Sequence, residues 1–191
     1  GECSTILLWP LGGLAYCGHH GGYKEQMYIS LAGPLTHLPQ FLFWMIVQVC
    51  GTRGVIYLSL YNLSDPNQVF RNFTADTLMM QIYLAVFNLL PCYPLDGGQV
   101  LASFLMMRGN DANTSARITC LVAGPLALFL IILGIIEWVE GWSAALITSI
   151  VGVWMAFQIK QIWVLVRAGL ADQHPLFSRD VPHAHNRQAA T

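Results

Sequence analysis

The chain has 191 residues, of which 55% are hydrophobic and only 10% are charged, with a formal net charge of −1. A soluble domain carries about 25% charged residues, so this composition excludes a soluble enzyme, a disordered protein and, since no basic cluster exists, a nucleic-acid-binding protein. The mean hydropathy of +0.52 favours a polytopic helical membrane protein.

The first residues, before any long apolar run, have a different pattern from the rest of the chain. Residues 5–9 form a short run that is apolar and partly β-branched. Pro10 and the pair Gly12-Gly13 follow this run. This pattern predicts a short strand that ends in a turn. We therefore expect a short β-like segment near the N-terminus, within residues 1–26.

Four apolar stretches are long enough to cross a bilayer, which takes about 20 residues. They are span A (27–50), span B (77–107), span C (118–136) and span D (141–159, continuing to 166). The expected fold is therefore an all-α membrane protein, a polytopic bundle of about four transmembrane spans. The expected units are the strand and turn segment (1–26), the core spans A and B (27–107), the C-terminal spans C and D (108–170) and a floppy polar tail (171–191).

The basic residues predict the orientation of these spans. Cytoplasmic loops are enriched in Lys and Arg. One side of the predicted bundle carries seven of them and the other side carries only Arg53 and Arg71. The N-terminal segment, the loop at 108–117 and the tail are therefore predicted to be cytoplasmic. The seven are Lys24, Arg108, Arg117, Lys160, Arg167, Arg179 and Arg187.

Asp96 is the only carboxylate well inside a predicted span. A charged side chain at that depth costs about 2.5–3.5 kcal/mol on the insertion scale, so it needs a partner, a metal ion or water. Broken backbone at membrane depth is tolerated only where protein buries it or it lines a cavity. An alternative is that Asp96 caps a helix that starts at the next residue. The residues predicted to interrupt the helix around it are Pro91, Pro94, Gly97 and Gly98.

Three segments carry a resemblance to a known family. Residues 88–98, with the pattern N-x-x-P-x-x-P-L-D-G-G, resemble the third-ligand motif of the site-2 protease family of intramembrane zinc metalloproteases. Residues 9–15 resemble the P-x-G-G segment that follows the catalytic helix of that family. Residues 31–35 resemble the A-G-P motif that opens its next span. A-G-P is a weak signal by itself, and residues 123–125 repeat it in span C.

The resemblance implies a zinc-dependent mechanism. In that family two His of an H-E-x-x-H helix bind Zn²⁺, the Glu is the general base, and the Asp of the L-D-G motif, here Asp96, is the third ligand. Zinc lowers the pKa of a bound water, which attacks a peptide carbonyl of a transmembrane substrate. Asn88 would contact the substrate or the oxyanion. An edge strand and its turn would pair with the unwound substrate. These residues are Ile6, Leu7, Leu8, Trp9, Gly12 and Gly13.

The departure from the family is that no H-E-x-x-H occurs in the sequence. In the family this motif would lie just before Gly1, so we expect the chain to be the C-terminal four spans of a six-span protein. Alone it should neither hold zinc tightly nor cleave anything, because one carboxylate is not a zinc site. The whole protein is expected to be a multi-pass zinc metalloendopeptidase whose partners are the lipid bilayer and a transmembrane protein substrate.

Two other functions are consistent with the residues. An Asp on a broken transmembrane helix is also typical of a transporter or proton relay. A non-catalytic protease homologue would keep the same fold. His37 stands where the family has Asn, and we expect it to be hydrogen-bonded to a neighbouring helix rather than to bind metal. Gln81 and Gln99 either face a cavity or form ordinary interhelical hydrogen bonds.

Overall fold

The computed structural model describes residues 2–9, 12–18, 22–52, 54, 66–142 and 144–178, with side chains from residue 22 onward except in 66–68. Residues 179–191, which make up most of the expected tail, lie outside the described part of the chain. His19 and His20 also lie outside it.

The N-terminal residues form an antiparallel hairpin of strand β1 (Glu2–Trp9) and strand β2 (Gly12–Gly18). Leu8 pairs with Gly13 and Trp9 pairs with Gly12, and the register is irregular between Cys3 and Thr5. The strand expected at 5–9 is thus part of β1. Gly12 and Gly13, which were expected to form a turn, instead begin a second strand, which contains the strand-favouring types Leu and Tyr.

The rest of the described chain is helical. The helices are α1 (Tyr23–Leu35), α2 (His37–Gly51), α3 (Pro66–Asn88), α4 (Asp96–Met107), α5 (Ala112–Val139) and α6 (Ala145–Ala168).

Spans A and B are each divided into two helices, and in span B the interruption falls where Pro91 and Pro94 predict it. Span A breaks at Thr36, between α1 and α2, and span B breaks at residues 89–95, between α3 and α4. Proline lies beside both breaks, Pro39 in the first turn of α2 and Pro91 within the second break. The physical reason is that proline has no N–H for the helix ladder and its ring clashes with the preceding turn.

Two of the described helices, α5 with 28 residues and α6 with 24, are long and apolar enough to cross a membrane by length and composition. The four spans expected from the sequence are therefore not confirmed. Both helices expose large apolar side chains, such as Phe129 and Phe157, which are 57% and 56% exposed. Monomeric soluble proteins rarely expose contiguous apolar surface of this kind.

The helices pack in pairs: α5 on α6, α1 on α4, and α2 on α3. Small residues bring α5 and α6 close together. Gly134 contacts Ser149 and Gly152 lies against Ile131, so a methyl group at either glycine would overlap the opposite helix. Such close contacts between small residues are typical of helix packing in membranes.

The chain after α6 folds back on the helices instead of leaving as a floppy tail. A short 3-10 helix at Ala171–Gln173 follows α6. Leu176 and Phe177, which are 4% and 0% exposed, belong to a buried cluster with α4, α5 and α6. The expectation of a floppy tail is therefore wrong for residues 171–178, because these apolar side chains pack into the bundle.

Candidate metal centre around Asp96

Asp96 is the first residue of α4, and its side chain is half-buried. The residue before it, Leu95, has extended backbone angles and caps the helix. Carboxylates are favourable in the first turn of a helix because the N-terminal end of the helix dipole is positive. The helix thus begins one residue earlier than the capping alternative supposed, and Asp96 lies at a helix terminus rather than inside a continuous span.

The loop at 89–95 folds closely over the start of α4. A side-chain carbon at Gly97 would overlap the backbone of Leu89 and Leu90, and one at Gly98 would overlap the backbone between Cys92 and Tyr93. Both glycines are buried within α4. The expectation that these two glycines interrupt the helix is therefore wrong: they lie in the first turn of α4 and permit the loop to approach it.

The carboxylate of Asp96 lies against α1. An ideal Cβ at Gly33 would be 2.7 Å from Oδ2 of Asp96, closer than real Cβ contacts allow. Gly33 is the glycine of the A-G-P segment at 31–35. The structure therefore joins two of the three segments that carry the family resemblance, because only glycine at this position leaves room for the acid.

Two hydrogen bonds between four polar side chains link the helices near this contact. His37 Nδ1 is 2.7 Å from Gln81 Oε1, which joins α2 to α3. The Ser30 hydroxyl donates to Gln99 Oε1 at 3.4 Å, which joins α1 to α4. These are the interhelical hydrogen bonds that were one of the two alternatives for His37, Gln81 and Gln99.

Among the described residues, the ionisable side chain that acts on Asp96 is His37, and no Lys or Arg does so. An amide oxygen accepts hydrogen bonds, so Nδ1 of His37 is the donor to Gln81 in the arrangement that the structure shows. The Asp96 carboxylate is therefore near polar side chains, and among the described residues it has no Lys or Arg partner.

The other predicted site residues have less defined surroundings. Asn88 is the last residue of α3 and is half-buried. Its contact with a substrate stays a prediction, as does substrate pairing by the hairpin. Ile6, Leu7, Leu8 and Trp9 belong to β1, and Gly12 and Gly13 belong to β2.

The residues present fit one part of a zinc site. A structural or catalytic zinc ion takes at least three protein ligands. The described residues contain no group of three or more His, Cys, Asp and Glu side chains that could hold a metal ion. Asp96 offers one carboxylate of the type that zinc accepts, so it fits as a single ligand of a site that the described residues do not complete.

Sequence reasoning missed two contacts of the loop at 89–95. The Cys92 thiol donates to the Ala123 carbonyl at 3.6 Å, and Ala123 begins the second A-G-P segment. The rings of Tyr93 and His174 meet edge to face at a centroid distance of 5.5 Å. The repeated A-G-P was a signal for the first contact. The apolar pair Leu176-Phe177 after Pro175 was a weak signal for the second.

Comparison with known proteins supplies an independent result. The profile of Peptidase family M50 matches residues 1–133. The chain is 29% identical over 154 residues to Rip3 of Mycobacterium tuberculosis, covering 80% of the chain and 35% of Rip3. It is 32% identical over 147 residues to Stage IV sporulation protein FB of Bacillus subtilis, covering 70% of the chain and 44% of that protein.

A third relative is Zinc metalloprotease MJ0392 of Methanocaldococcus jannaschii, with 28% identity over 138 residues, 71% of the chain and 36% of that protein. The chain thus spans less than half the length of these relatives. No solved structure matches the chain significantly.

Proposed function

Because the chain belongs to Peptidase family M50, we propose that it is part of a membrane-embedded zinc metalloprotease in which Asp96 is a metal ligand. The observation that carries the proposal is the position of Asp96 against Gly33, at the start of α4 and beside the polar contacts of α1, α2 and α3. A carboxylate held in this way, away from Lys and Arg of the described chain, is suited to bind a cation.

The remaining ligands are proposed to come from the full-length protein, since this sequence contains no H-E-x-x-H. Zinc, when bound, would polarise the scissile carbonyl and lower the pKa of a water molecule. Asp96 would hold one coordination position, and the positive end of the helix dipole at the start of α4 favours negative charge there. Asn88 is proposed to donate to the substrate carbonyl. This chain alone is proposed to be inactive.

The metal-ligand proposal is tested by Asp96→Asn in the full-length protein, with Asp111→Asn as the matched control. Asp111 is also an Asp at a helix start, where it caps α5 by accepting from the Thr114 N–H at 3.0 Å. Hydrogen bonds from Thr114 hold the pKa of Asp111 below its ordinary value. Asn is an equally good cap, so the control should leave the fold unchanged.

We expect purified wild-type and D111N proteins to carry about one zinc per chain and to cleave a transmembrane reporter substrate. D96N should lose zinc by elemental analysis and lose cleavage by at least about 100-fold. Retention of both zinc and cleavage in D96N would contradict the proposal. A folded wild-type protein that binds no zinc would instead support the non-catalytic homologue.

We propose that the substrate pairs with the edge of β1 opposite to β2. One edge of β1 is paired with β2, from Glu2 to Trp9, and a free strand edge can accept an extended peptide. A photoreactive amino acid at Leu7 should cross-link to a bound substrate more strongly than one at its partner Leu14. Stronger cross-linking from Leu14 would show that β2, rather than β1, meets the substrate.

Membrane embedding is proposed from α5 and α6, which are joined by a short turn near Gly141 and therefore run antiparallel. Trp138 and Trp142 flank this turn and are 64% and 62% exposed, as is typical of residues at a membrane interface. In intact cells, a membrane-impermeant thiol reagent should label W142C and not T114C. The reverse labelling would invert the proposed cytoplasmic orientation.

A further inference from the structure

Residues 171–178, which follow α6 after Gly169 and Leu170, form a compact segment that we call the C-terminal brace. The chain leaves α6 through Gly169, whose φ of 73° is left-handed. The N–H groups of Phe177 and Ser178 both donate to the His174 carbonyl, at 2.9 and 3.0 Å. The brace is therefore a folded turn, with its own backbone hydrogen bonds.

The brace is anchored in the helical bundle. Phe177 is fully buried in a cluster that includes Ala102 and Met106 of α4 and Cys120 of α5. The Tyr23 hydroxyl at the start of α1 donates to the Phe177 carbonyl at 3.5 Å. The brace thus contacts both α1 and α4, the two helices whose interface contains the Asp96 side chain.

His174 links the brace to the loop at 89–95. Its ring meets Tyr93 edge to face at 5.5 Å and lies 5.9 Å from the ring of Phe177. Its Nδ1 accepts a hydrogen bond from the Leu176 N–H at 3.2 Å, so this nitrogen carries no proton. The imidazole is therefore held by two groups of contacts, one with Leu176 and Phe177 of the brace and one with Tyr93 of the loop.

The opposite side of the same loop is held by α5. The neighbouring residue, Cys92, is fully buried and its thiol donates to the Ala123 carbonyl. The loop that precedes Asp96 is thus clamped between α5 and the brace. Residues that hold a metal ligand in its orientation without binding the metal themselves affect metal affinity strongly. Their removal lowers the affinity by about 10–100-fold.

We propose that the C-terminal brace positions the loop that precedes Asp96, and that His174 is the positioning residue, acting through its ring contact with Tyr93. The proposal rests on the proposed function in so far as Asp96 binds zinc. The packing of the loop, however, can be measured without zinc. The test therefore separates the two.

The experiment uses the full-length protein with all cysteines replaced by Ser except Cys92, and a matched protein that retains only Cys120. Both thiols are buried, at 0% and 5% exposure, but Cys120 lies between α5 and α6, where its thiol donates to the Ile159 carbonyl. Cys92 reports the loop, and Cys120 reports the buried cluster into which Phe177 anchors the brace. Labelling by a small maleimide measures how often each becomes accessible.

Two variants separate the ring contact from the hydrogen bond of His174. His174→Phe keeps a ring against Tyr93, and His174→Asn keeps an acceptor for the Leu176 N–H without the ring. We expect H174N to increase Cys92 labelling by about tenfold with Cys120 unchanged, because local opening is independent of global unfolding. H174F should label like the wild type. Zinc affinity should fall by about tenfold in H174N and not in H174F.

Equal Cys92 labelling in H174N and the wild type would overturn the proposal, as would equal effects of H174N and H174F. If H174N exposes Cys120 as well, Tyr93→Leu removes the ring contact from the loop side with the brace intact. It must then expose Cys92 selectively, and exposure of both thiols would overturn the proposal. Absence of zinc from the wild type would refute Asp96 as a ligand while leaving the labelling result decisive for the brace.

Discussion

Gly33 and Asp96 meet across the interface of α1 and α4 so closely that a Cβ at Gly33 would lie 2.7 Å from Oδ2 of Asp96. The two residues come from two separate motifs, A-G-P and P-L-D-G-G, that are more than sixty positions apart in the sequence. This contact explains why the A-G-P segment has glycine at position 33: any side chain there would take the space of the Asp96 carboxylate.

This contact predicts that Gly33→Ala displaces the Asp96 carboxylate. The added methyl group must push a short, polar side chain, so we expect zinc affinity to fall by about tenfold with little change in the fold. The matched control is Gly124→Ala in the second A-G-P segment, where nothing lies within 4 Å of the added carbon. Zinc titration of both variants measures the difference, and equal affinities would contradict the role assigned to Gly33.

Phe177 should contribute strongly to stability. It is 0% exposed, whereas Phe157 on α6 is 56% exposed. We expect Phe177→Ala to lower the free energy of unfolding by about 3–5 kcal/mol, because truncation of a buried Phe leaves a cavity. Phe157→Ala should cost less than about 1 kcal/mol. Chemical unfolding in detergent measures both. A small effect at Phe177 would mean that residues 171–178 do not pack as described.

Protonation of His174 should destabilise the protein in mildly acidic solution. Burial holds the pKa of His174 below its ordinary value of 6.5, and the described residues show no charged group acting on it. The groups that face it are the Tyr93 phenol, the Phe177 ring and the Leu176 N–H. The neutral form is favoured in the folded state, so its stabilising effect is complete above about pH 6.5 and declines as the pH falls below that.

The measurement is the free energy of unfolding at about pH 7.5 and about pH 5.5, on either side of the ordinary His pKa. His174→Phe should reduce the loss of stability between the two pH values. His37→Asn, which removes a different imidazole, serves as the control and should leave the contribution of His174 in place. A pH dependence unchanged by H174F would show that another group is responsible.

The hydrogen bond between His37 and Gln81 should be measurable as a coupling energy. Interhelical hydrogen bonds in membrane proteins contribute about 0.5–1.5 kcal/mol, so the double variant H37A/Q81A should be less destabilised than the sum of the single variants by that amount. A control cycle of His37 with Gln158, on a different helix, should be additive to within about 0.5 kcal/mol. Additivity of the first pair would mean that the 2.7 Å contact contributes nothing to stability.

Composition and apolar runs were enough to predict a mainly helical protein and the approximate places of α5 and α6. The prolines of span B predicted that its helix is interrupted before Asp96, as the structure shows. The position of the break in span A was not predicted, because hydropathy averages over a proline that interrupts the backbone. The break at Thr36 falls within an uncharged stretch. Only the backbone geometry shows where α1 ends and α2 begins.

The site was predicted in part. Asp96 was identified by its cost inside an apolar stretch and by its motif, and Gln81 and Gln99 by their polarity. The pairing of Gly33 with Asp96 depends on how α1 packs on α4, which is a long-range property that no local pattern encodes. His174 was overlooked because the polar residues beyond it, from Arg179 onward, made the whole segment after α6 resemble a solvated tail.

The length of α4 has a consequence for depth. Its 12 residues span about 18 Å at 1.5 Å per residue, which is little more than half of a hydrocarbon layer of about 30 Å. If α4 stands upright beside α5 with the Arg108 end at the cytoplasmic surface, Asp96 lies near the mid-plane of the bilayer. A peptide bond cleaved at that level would be beyond the reach of bulk water, so the proteolytic reaction would need its own hydrated path from the cytoplasmic face.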